Sequence, residues 1–499
     1  MKTKNLSFQH KMMLAFQAGK FVCVGLDPDP KKIPEHIKAD SITETIFNFN
    51  KAIIDATADI VCAYKPNSAF YEAHGLAGIM ALKQTVDYIS AHYPSVVIIL
   101  DAKRGDIGNT NDGYVKSAFD FNKVDAITIN PYMGSEANQP FLSCADKGVF
   151  VLCKTSNPGS GEFQNLMVNS VTPLYVRVAE ALATHWNGRE NVCLVVGATY
   201  PSELAIIRAA APRNIILIPG IGAQGGDLEA AVRAGKDMHG AGFVINLSRS
   251  VLYASNGEDF ADAARIATEE THNAINIARA LEPILPPTVE EITSRILEEA
   301  HAVLSGHFVY TSGDHGSAYI NKDMIYVSPE RIELLCYFLA LHFSQYEDID
   351  TVVGPATGGI IISQYVTKHL SLILGKPVAA VYAEKAPEGG FVIKRGYDVF
   401  VAGKNILLVE DILNSGGSAE KLARCVEGIG GSIVGLGALC NRGGVTKELL
   451  GVPVLYQLLS VSMEKYPATT CPLCANKVTV NTQVGKGKEF IEKLKETVG

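Results

Sequence analysis

Short, nearly continuous apolar runs alternate with longer amphipathic stretches through the first half of the chain. Such runs are typical of parallel strands buried on both faces, and the gaps between them are long enough for helices. Helices are predicted, for example, over 43–57, 76–92, 202–211 and 227–234. Eight strand–helix units within about 250 residues favour a closed (β/α)8 (TIM) barrel over an open sheet. The predicted strands are 21–27, 59–65, 96–103, 126–130, 148–155, 191–199, 214–220 and 243–248.

The second half of the chain has a different pattern. A helical segment over 260–302 is interrupted at 281–291, where three prolines disfavour helix. Thr288 and Glu291 then predict a capping box that opens a new helix. We therefore expect a barrel domain over 1–275, a linker over 276–290 and a smaller doubly wound α/β domain over 291–499. Its predicted strands are 308–310, 324–326, 351–353, 378–382, 405–409 and 433–439, and its predicted helices are 328–343, 359–374 and 418–428.

Composition narrows the class of protein. The 499 residues carry a net charge of −8, which does not favour nucleic-acid binding. Apolar runs are far shorter than the roughly 20 residues of a membrane helix, and the N-terminal segment lacks the apolar core of a signal peptide. Ten scattered cysteines are typical of reduced thiols in the cytosol. We therefore expect a cytoplasmic protein without nucleic-acid or membrane partners.

Four alternating charges lie at the ends of the second and third predicted strands. Asp101 and Lys103 are two residues apart, so both side chains point to the same side of a strand. Asp106 follows in the loop, and Lys65 ends the neighbouring strand. The C-terminal rim of such a barrel is where active sites are built. An ammonium group there can stabilise a developing carbanion and then protonate it. An ordinary ion-pair network is the alternative.

A glycine-rich segment follows the seventh predicted strand. Gly220, Gly222 and Gly225 form G-x-G-x-x-G. A dinucleotide-binding motif is expected in a first βαβ unit with an acidic residue about 20 positions later, and neither condition holds. A phosphate site formed by the loops after strands seven and eight with a helix N-terminus fits better. Arg249, after the eighth strand, can donate two hydrogen bonds to a phosphate. A tight turn without a ligand is the alternative.

The segments GLDPD, AYKPN, LDAKRGDIGNT, CKTSNPGSG, VGATYP, PGIGAQGGD and NLSRS resemble orotidine 5′-monophosphate (OMP) decarboxylases over about 21–253. The resemblance implies conversion of OMP to UMP without a metal or organic cofactor. It implies that Lys103 protonates C6 of the pyrimidine. It also implies a homodimer or higher homo-oligomer in which Asp106 and Thr110 reach the partner's site. With Lys65 and Asp101, Lys103 and Asp106 form the charged network that the resemblance implies. The other implied substrate-binding residues are Asp27 (ribose), Ser156 (pyrimidine), Gln224 and Arg249 (phosphate), Pro219 and Gly222.

A second candidate site follows the apolar run 405–409. Glu410 and Asp411 precede a glycine turn whose backbone amides could bind a phosphate, while the acids accept hydrogen bonds from a sugar. The alternative is an acidic strand end with an ordinary turn. The pattern resembles the phosphoribosyl-pyrophosphate (PRPP) signature of type I phosphoribosyltransferases, and VVGPATGGI resembles their pyrophosphate loop. The PRPP-binding residues that this implies are Lys385, Glu410, Asp411, Asn414, Ser415, Gly416, Gly417 and Ser418.

HFVYTSGDHGSAYINKDM, CNRGG and the Cys-Pro-Leu-Cys tail are most similar to orotate phosphoribosyltransferases. The resemblance implies that this domain joins orotate to PRPP with Mg²⁺ and releases pyrophosphate, which supplies OMP to the barrel. The stretch 383–397, however, has Lys385, Lys394 and Arg395 but no histidine. Thr357-Gly358 and Asn414 also depart from the usual lysine and threonine. A transferase of other base specificity and a PRPP-binding regulatory module are therefore kept as alternatives.

The tail contains one C-x-x-C, Cys471 to Cys474. A zinc site usually needs a second cysteine pair or a spaced histidine pair. The spacing therefore favours ordinary reduced thiols, and we predict no metal bound by protein side chains alone.

Overall fold

A computed structural model describes residues 6–222, 225–310 and 312–498, with side chains up to Leu494. The chain forms two compact units, Met1–Pro286 and Pro287–Gly499. In the described part of the chain, no helix combines the length and the apolarity that a membrane span requires.

Eight parallel strands close into a barrel in the first unit. Each strand pairs with the next along the chain, and the eighth pairs with the first. The predicted barrel is thereby confirmed, although the second strand begins at Ala63 rather than at 59 because a turn follows the preceding helix. The strands are β1 (Val22–Leu26), β2 (Ala63–Pro66), β3 (Val97–Arg104), β4 (Ala126–Ile129), β5 (Gly148–Lys154), β6 (Val192–Val196), β7 (Ile216–Pro219) and β8 (Phe243–Leu247).

Alternate residues of these strands belong to two separate hydrophobic clusters. In β3, Val97 and Ile99 pack with Phe8 of the first helix in the cluster that fills the barrel. Ile98 and Leu100 point the other way and pack under the surrounding helices. Because both faces are buried, the strands are apolar along their whole length, which explains why the sequence shows continuous runs rather than alternation.

Helices cover the outside of the barrel and include all four that the pattern predicts there. A short antiparallel pair, Met167–Val168 with Thr172–Pro173, lies after β5. The helices are Phe8–Gln17, Ile42–Thr57, Ser68–Glu72, Gly75–His92, Gly108–Val115, Gly134–Leu142, Gly161–Gln164, Leu174–Ala183, Pro201–Ala210, Leu228–Gly235, Arg249–Leu252 and Phe260–Ala280, with a π-helical segment Lys116–Phe121 and 3₁₀ turns Glu35–Ile37 and Pro158–Ser160.

The second unit is a six-stranded α/β sheet with a separate hairpin. The hairpin is formed by β9 (Val303–Val309) and β10 (His315–Ile320). The sheet order is β13-β12-β11-β14-β15-β16, parallel except for the edge strand β13. The predicted doubly wound fold is confirmed. Its strands are β11 (Thr351–Pro355), β12 (Ala379–Lys385), β13 (Phe391–Val392), β14 (Asn405–Leu413), β15 (Ser432–Asn441) and β16 (Leu455–Ser460).

Two local predictions in this unit differ from the structure. The segment 324–326 lies in a helical turn, Asp323–Tyr326, which packs against the helix Pro329–Phe343 rather than pairing with a strand. The second difference is that the pattern did not predict the hairpin strand β10 or the edge strands β13 and β16. The capping box of Thr288 and Glu291 is confirmed. The helices are Val289–Glu299, Asp323–Tyr326, Pro329–Phe343, Gly358–Leu374, Gly417–Gly428, Lys447–Leu450, Pro472–Ala475 and Gly487–Val498, with 3₁₀ turns Tyr397–Phe400 and Ala468–Thr470.

Candidate active sites

Three of the four predicted charges meet at the C-terminal rim of the barrel. Lys103 Nζ lies 2.7 Å from Asp101 Oδ1, and Lys65 Nζ lies 3.0 Å from Asp101 Oδ2. Thr128 donates a hydrogen bond to the same Oδ1 at 2.8 Å. The side chain of Lys65 is only 5% exposed, whereas that of Lys103 is 48% exposed. Lys65 is therefore a fixed internal charge, and Lys103 is the cation that a ligand can reach.

The ion pairs within this cluster shift the pKa values of two of its members. Burial by itself would raise the pKa of Asp101, but the positive charges of Lys65 and Lys103 outweigh burial and hold that pKa well below its usual range. Burial likewise opposes the charged form of Lys65, but Asp27 and Asp101 raise its pKa above the usual value. The carboxylate therefore stays ionised at neutral pH between two ammonium groups.

The backbone at Lys103 is unusual. Its φ is +47°, in the left-handed region that residues other than glycine seldom adopt. The Lys103 N–H donates to Thr128 Oγ1 at 2.9 Å, and the pairing of β3 with β4 shifts register between Leu100 and Arg104. The side chains of Asp101 and Lys103 meet as predicted, but through this local distortion rather than through regular alternation along a strand.

The next group of residues surrounds Asp27, at the end of β1. Ser248 donates to Asp27 Oδ2 at 2.6 Å, and the backbone N–H of Asn67 donates to Oδ1 at 3.2 Å. The hydroxyl of Tyr253 accepts from the N–H of Asp29 at 2.7 Å. Asp27 thus presents a hydrogen-bonded carboxylate beside the charged cluster, where it can accept from the hydroxyls of a sugar.

A cavity of about 740 Å³ connects these groups. Its size suits a nucleotide-sized ligand. Ser156, Pro219 and Arg249 lie along its wall, together with Asp27, Lys65, Asp101 and Lys103. Arg249 is exposed and begins the short helix Arg249–Leu252. The structure therefore brings seven of the eleven predicted barrel residues to one cavity.

The glycine loop after β7 is a tight turn. Gly220 and Gly222 have φ of +99° and +67°, and Gly222 N–H donates to the carbonyl of Gly226. Asp227 accepts from Ala230 N–H and so caps the following helix itself. Gly222 is not among the residues that line the cavity, and the predicted Gln224 lies outside the described residues.

Asp106 and Thr110 lie apart from the cavity of their own chain. The Asp106 carboxylate accepts from the N–H of Ile107 at 2.7 Å and forms no ion pair with any described residue. Thr110 is exposed on the helix Gly108–Val115. The prediction that all four charges meet is therefore corrected for a single chain. Of the four, Lys65, Asp101 and Lys103 pair with one another and line the cavity of this chain.

The second site lies where the strand order of the sheet reverses, between β11 and β14. Ligands of doubly wound folds bind at such a point, beyond the carboxyl ends of the strands. Glu410 and Asp411 are buried near the end of β14. The loop after β11 comes so close that a Cβ at Gly358 would lie 2.2 Å from Asp411 Oδ2. Glycine is therefore required there by the close approach of the two segments.

The two acids have different environments. Asp411 Oδ2 lies 2.5 Å from Lys322 Nζ and accepts from the Tyr326 hydroxyl at 3.2 Å. Glu410 Oε2 is buried and has no hydrogen-bond partner among the described residues. Burial, together with the neighbouring charge of Asp411, raises the pKa of Glu410 above its usual value. Asp411 is thus paired, while Glu410 is poised to gain a positively charged or hydrogen-donating ligand.

The glycine turn lines a second cavity of about 300 Å³. Gly416 has φ of +77° and precedes the helix Gly417–Gly428. Arg442 donates to Asn414 Oδ1 from across the turn and lies over the rings of Tyr310 and Tyr319, 5.6 and 5.5 Å from their centroids. The predicted PRPP residues that line this cavity are Glu410, Asn414, Ser415, Gly416, Gly417 and Ser418.

Lys385 is not part of this cavity. It is exposed at the end of β12, where it pairs with Phe391 of the edge strand. Lys394 and Arg395 both contact Glu384, at 3.5 and 3.1 Å. Lys385 and the glycine turn therefore do not line one cavity in this structure, because the stretch folds as a short antiparallel pair, and a PRPP contact for Lys385 stays a prediction.

The sequence prediction did not assign a role to three side chains that have central contacts at these sites. Thr128 joins Asp101 to the backbone of Lys103, Lys322 pairs with Asp411, and Arg442 faces the glycine turn. Lys322 and Arg442 lie within INKDM and CNRGG, which the resemblance covered without assigning individual roles. For Thr128, its position one residue before the end of β4 is the only sequence signal.

The closed barrel with a charged cavity, followed by a sheet with an acidic strand end and a glycine turn, defines a two-domain protein of the barrel-plus-phosphoribosyltransferase class. The model of the orotidine 5′-phosphate decarboxylase / HUMPS family matches residues 20–264, and that of the phosphoribosyl transferase domain matches residues 325–465. The chain belongs to the orotidine 5′-phosphate decarboxylase family and carries a phosphoribosyltransferase domain after the barrel.

Individual relatives agree with this assignment. An orotidine 5′-phosphate decarboxylase of Herpetosiphon aurantiacus is 53% identical over 244 residues, which are 49% of this chain and 88% of the relative. That of Cellvibrio japonicus is 47% identical over 276 residues, 55% of this chain and its own full length. The structure of a UMP synthase of Leishmania donovani is 32% identical, with 91% of this chain and 93% of that chain covered and a TM-score of 0.50.

Proposed function

We propose that the barrel decarboxylates OMP to UMP. The observation that carries this proposal is the Lys65–Asp101–Lys103 cluster on the wall of a nucleotide-sized cavity. A substrate carboxylate placed against the ionised Asp101 is destabilised, which favours loss of CO2. The C–C bond breaks, and its electron pair stays on C6 of the pyrimidine. The Lys103 ammonium stabilises that pair and then transfers its proton to C6, and solvent reprotonates the lysine.

The remaining residues of the cavity would each bind a different part of the substrate. Asp27 would accept from the ribose, Ser156 would contact the pyrimidine, and Arg249 with the amides of the glycine loop would bind the phosphate. Binding the phosphate far from C6 supplies interaction energy that can hold the reacting carboxylate against Asp101. In this scheme the lysine ammonium groups of the barrel stabilise the negative charge that develops on C6.

We propose that the second domain forms OMP from orotate and PRPP. Glu410 and Asp411 would accept from the ribose hydroxyls of PRPP, and the amides at Ser415–Ser418 would bind its 5′-phosphate. Support for an anionic base comes from Arg442, whose Nη1 is buried without a partner among the described residues, beside this turn. A guanidinium held over two tyrosine rings can bind the carboxylate of orotate with two hydrogen bonds.

The same acids fit a Mg²⁺ complex of PRPP. Carboxylate and phosphate oxygens are the ligands that Mg²⁺ prefers, and the unpartnered Oε2 of Glu410 offers one such oxygen. Bound Mg²⁺ would neutralise the charge of the departing pyrophosphate. Lys322 would hold the Asp411 carboxylate in place beside the sugar.

We further propose that the barrel acts as a homodimer or higher homo-oligomer, with Asp106 and Thr110 completing the partner's site. Support comes from their position, since both lie away from the cavity of their own chain. A two-fold axis would make the two shared sites equivalent.

The functions are separable by assay. Purified chain is incubated with OMP alone, and separately with orotate, PRPP and Mg²⁺, and OMP, UMP and pyrophosphate are measured. We expect UMP in both reactions. Replacing orotate by uracil, hypoxanthine or adenine tests base specificity; pyrophosphate release with one of these bases and none with orotate would overturn the orotate assignment. Binding of PRPP without turnover of any base would instead indicate a regulatory module.

Arg442→Gln tests the assignment of the base site. It should raise the KM for orotate by roughly 10-fold or more, because a charge-assisted hydrogen bond contributes about 1.5–3 kcal/mol. Arg424→Gln is the matched control, since Arg424 is exposed on the helix after the turn and pairs with Glu420. Equal effects of the two substitutions would argue against an orotate carboxylate at Arg442.

A further inference from the structure

Two histidines and two cysteines from distant parts of the chain meet in the second unit. His307 and His315 lie on the two paired strands of the β9–β10 hairpin. Cys471 immediately precedes the helix Pro472–Ala475, and Cys474 lies in it. One potential ligand atom of each residue lies within 4.8 Å of every other. The two histidines and Cys471 are buried, and Cys474 is half-buried.

The separations approach those of a tetrahedral metal site. His307 Nε2 lies 2.8 Å from His315 Nδ1 and 3.7 Å from the sulfur atoms of both cysteines. Cys474 Sγ lies 3.3 Å from His315 Nδ1. Usual Zn–N and Zn–S bonds in a tetrahedron set ligand atoms about 3.3–3.8 Å apart. A shift of about half an ångström between the two imidazoles would therefore bring all these separations to the zinc values.

The orientation of His307 suits a ligand. Its Nδ1 lies 2.8 Å from the carbonyl oxygen of Val478, which can only accept, so Nδ1 carries the proton. Nε2 then presents its lone pair to the cluster. A hydrogen bond from the far ring nitrogen to a backbone carbonyl is the usual support of a metal-binding histidine.

The cluster joins two segments that the sheet does not connect. The backbone of His315 exchanges two hydrogen bonds with Tyr466, and His307 forms a bridge with Val480. The same hairpin leads into Tyr310 and Ser312, which line the cavity at the glycine turn. A closed site with four protein ligands would hold the hairpin on the C-terminal segment and so fix Tyr310 under Arg442.

We propose that His307, His315, Cys471 and Cys474 bind a structural Zn²⁺ ion. Thiolate and imidazole ligands in this number select zinc among the common divalent ions. The prediction of ordinary thiols rested on an isolated C-x-x-C, and the fold supplies the two histidines that it lacked. This proposal goes beyond the catalytic roles, since the ion touches neither substrate.

The test is the metal content of the full-length chain, purified under reducing conditions and reconstituted with Zn²⁺. We expect about one zinc per chain by mass spectrometry. Cys471→Ser combined with Cys474→Ser should lower the content to background. Cys425→Ser should retain the ion, because Cys425 is half-buried in the same unit but outside the cluster. OMP turnover by the barrel checks that each variant is intact in its first unit.

A second measurement does not depend on any variant folding. The wild-type chain loaded with Co²⁺ should show the visible bands of tetrahedral cobalt and a thiolate-to-cobalt charge-transfer band. Absence of zinc and of these bands in the reconstituted wild-type chain would overturn the proposal. Retention of one zinc by the double variant would also overturn it, since the ion would then lie elsewhere. Neither result tests the proposed catalytic functions, because OMP and UMP formation are assayed separately.

Discussion

The ammonium group of Lys103 lies 2.7 Å from the carboxylate of Asp101, although the backbone of Lys103 is left-handed. Backbone conformations of this kind cost about 1–3 kcal/mol and persist where the surroundings enforce them. Here Thr128 holds both partners, by donating to Asp101 and accepting from the Lys103 N–H. The distortion places the one exposed cation of the cluster in the cavity, which is what a proton donor to a bound substrate requires.

Replacing Lys103 with alanine should abolish decarboxylation and leave OMP formation intact. Loss of a positioned acid usually costs about 10²–10⁴-fold, and loss of carbanion stabilisation adds to that cost. Release of UMP from OMP is the measurement. Lys123→Ala is a matched control, because Lys123 is also an exposed lysine with a positive φ but lies outside the cavity. Near-normal UMP release by the Lys103 variant would contradict the assignment of Lys103 as the proton donor.

Mixing Lys103→Ala with Asp106→Ala chains should restore part of the decarboxylase activity. In a mixed dimer with shared sites, one site carries both defects and the other carries neither. Random exchange makes half the dimers mixed, so recovery should approach roughly a quarter of wild-type activity for two-fold symmetric dimers. Exchange is verified with mass-tagged chains. If exchange is complete and activity stays absent, Asp106 acts within its own subunit.

Glu410→Gln should stabilise the transferase unit while impairing OMP formation. Burial and Asp411 raise the pKa of Glu410, so the unfolded chain releases this proton at lower pH than the folded chain does. Wild-type stability therefore falls as pH rises between the unfolded and folded pKa values. The variant should exceed wild type by about 1 kcal/mol or more at pH about 8, since it removes a buried charge without a partner.

The gain in Glu410→Gln should shrink toward pH about 3, where the glutamate is protonated in both states. Denaturant unfolding, followed at several pH values, gives the comparison. Glu427→Gln, at an exposed position on the following helix, is the matched control and should lack this gain. A gain that is independent of pH would mean that the charge of Glu410 is not its cause.

Chelation should separate the two reactions. Decarboxylation should continue in excess EDTA, because the proposed mechanism uses lysines as its cations. OMP formation should stop, because Mg²⁺ would be needed to neutralise the charge of the departing pyrophosphate. Re-addition of Mg²⁺ alone, after brief chelation, should restore OMP formation and distinguishes this effect from loss of the proposed zinc. Strong inhibition of OMP turnover by EDTA would show that the barrel depends on a metal.

The sequence by itself determined the strands of the barrel, their order and the rim on which the chemistry lies. Apolar periodicity and strand-to-helix alternation are local signals, and a closed parallel barrel has one simple order for eight such units. The pairing of Asp101 with Lys103 could also be predicted from the sequence, because the two residues are near neighbours in the chain. The capping box of Thr288 was equally local.

Contacts between distant residues were decided only by the tertiary structure. Lys322 reaches Asp411 across 89 residues, and His307 reaches Cys471 across 164. The position of Asp106 outside its own cavity, and of Lys385 on an edge pair, depends on the path of each loop. Such contacts follow from how loops and a hairpin pack on the finished sheet. Packing of this kind leaves no periodic pattern in the sequence, because it is set by the three-dimensional shape of elements that form elsewhere in the chain.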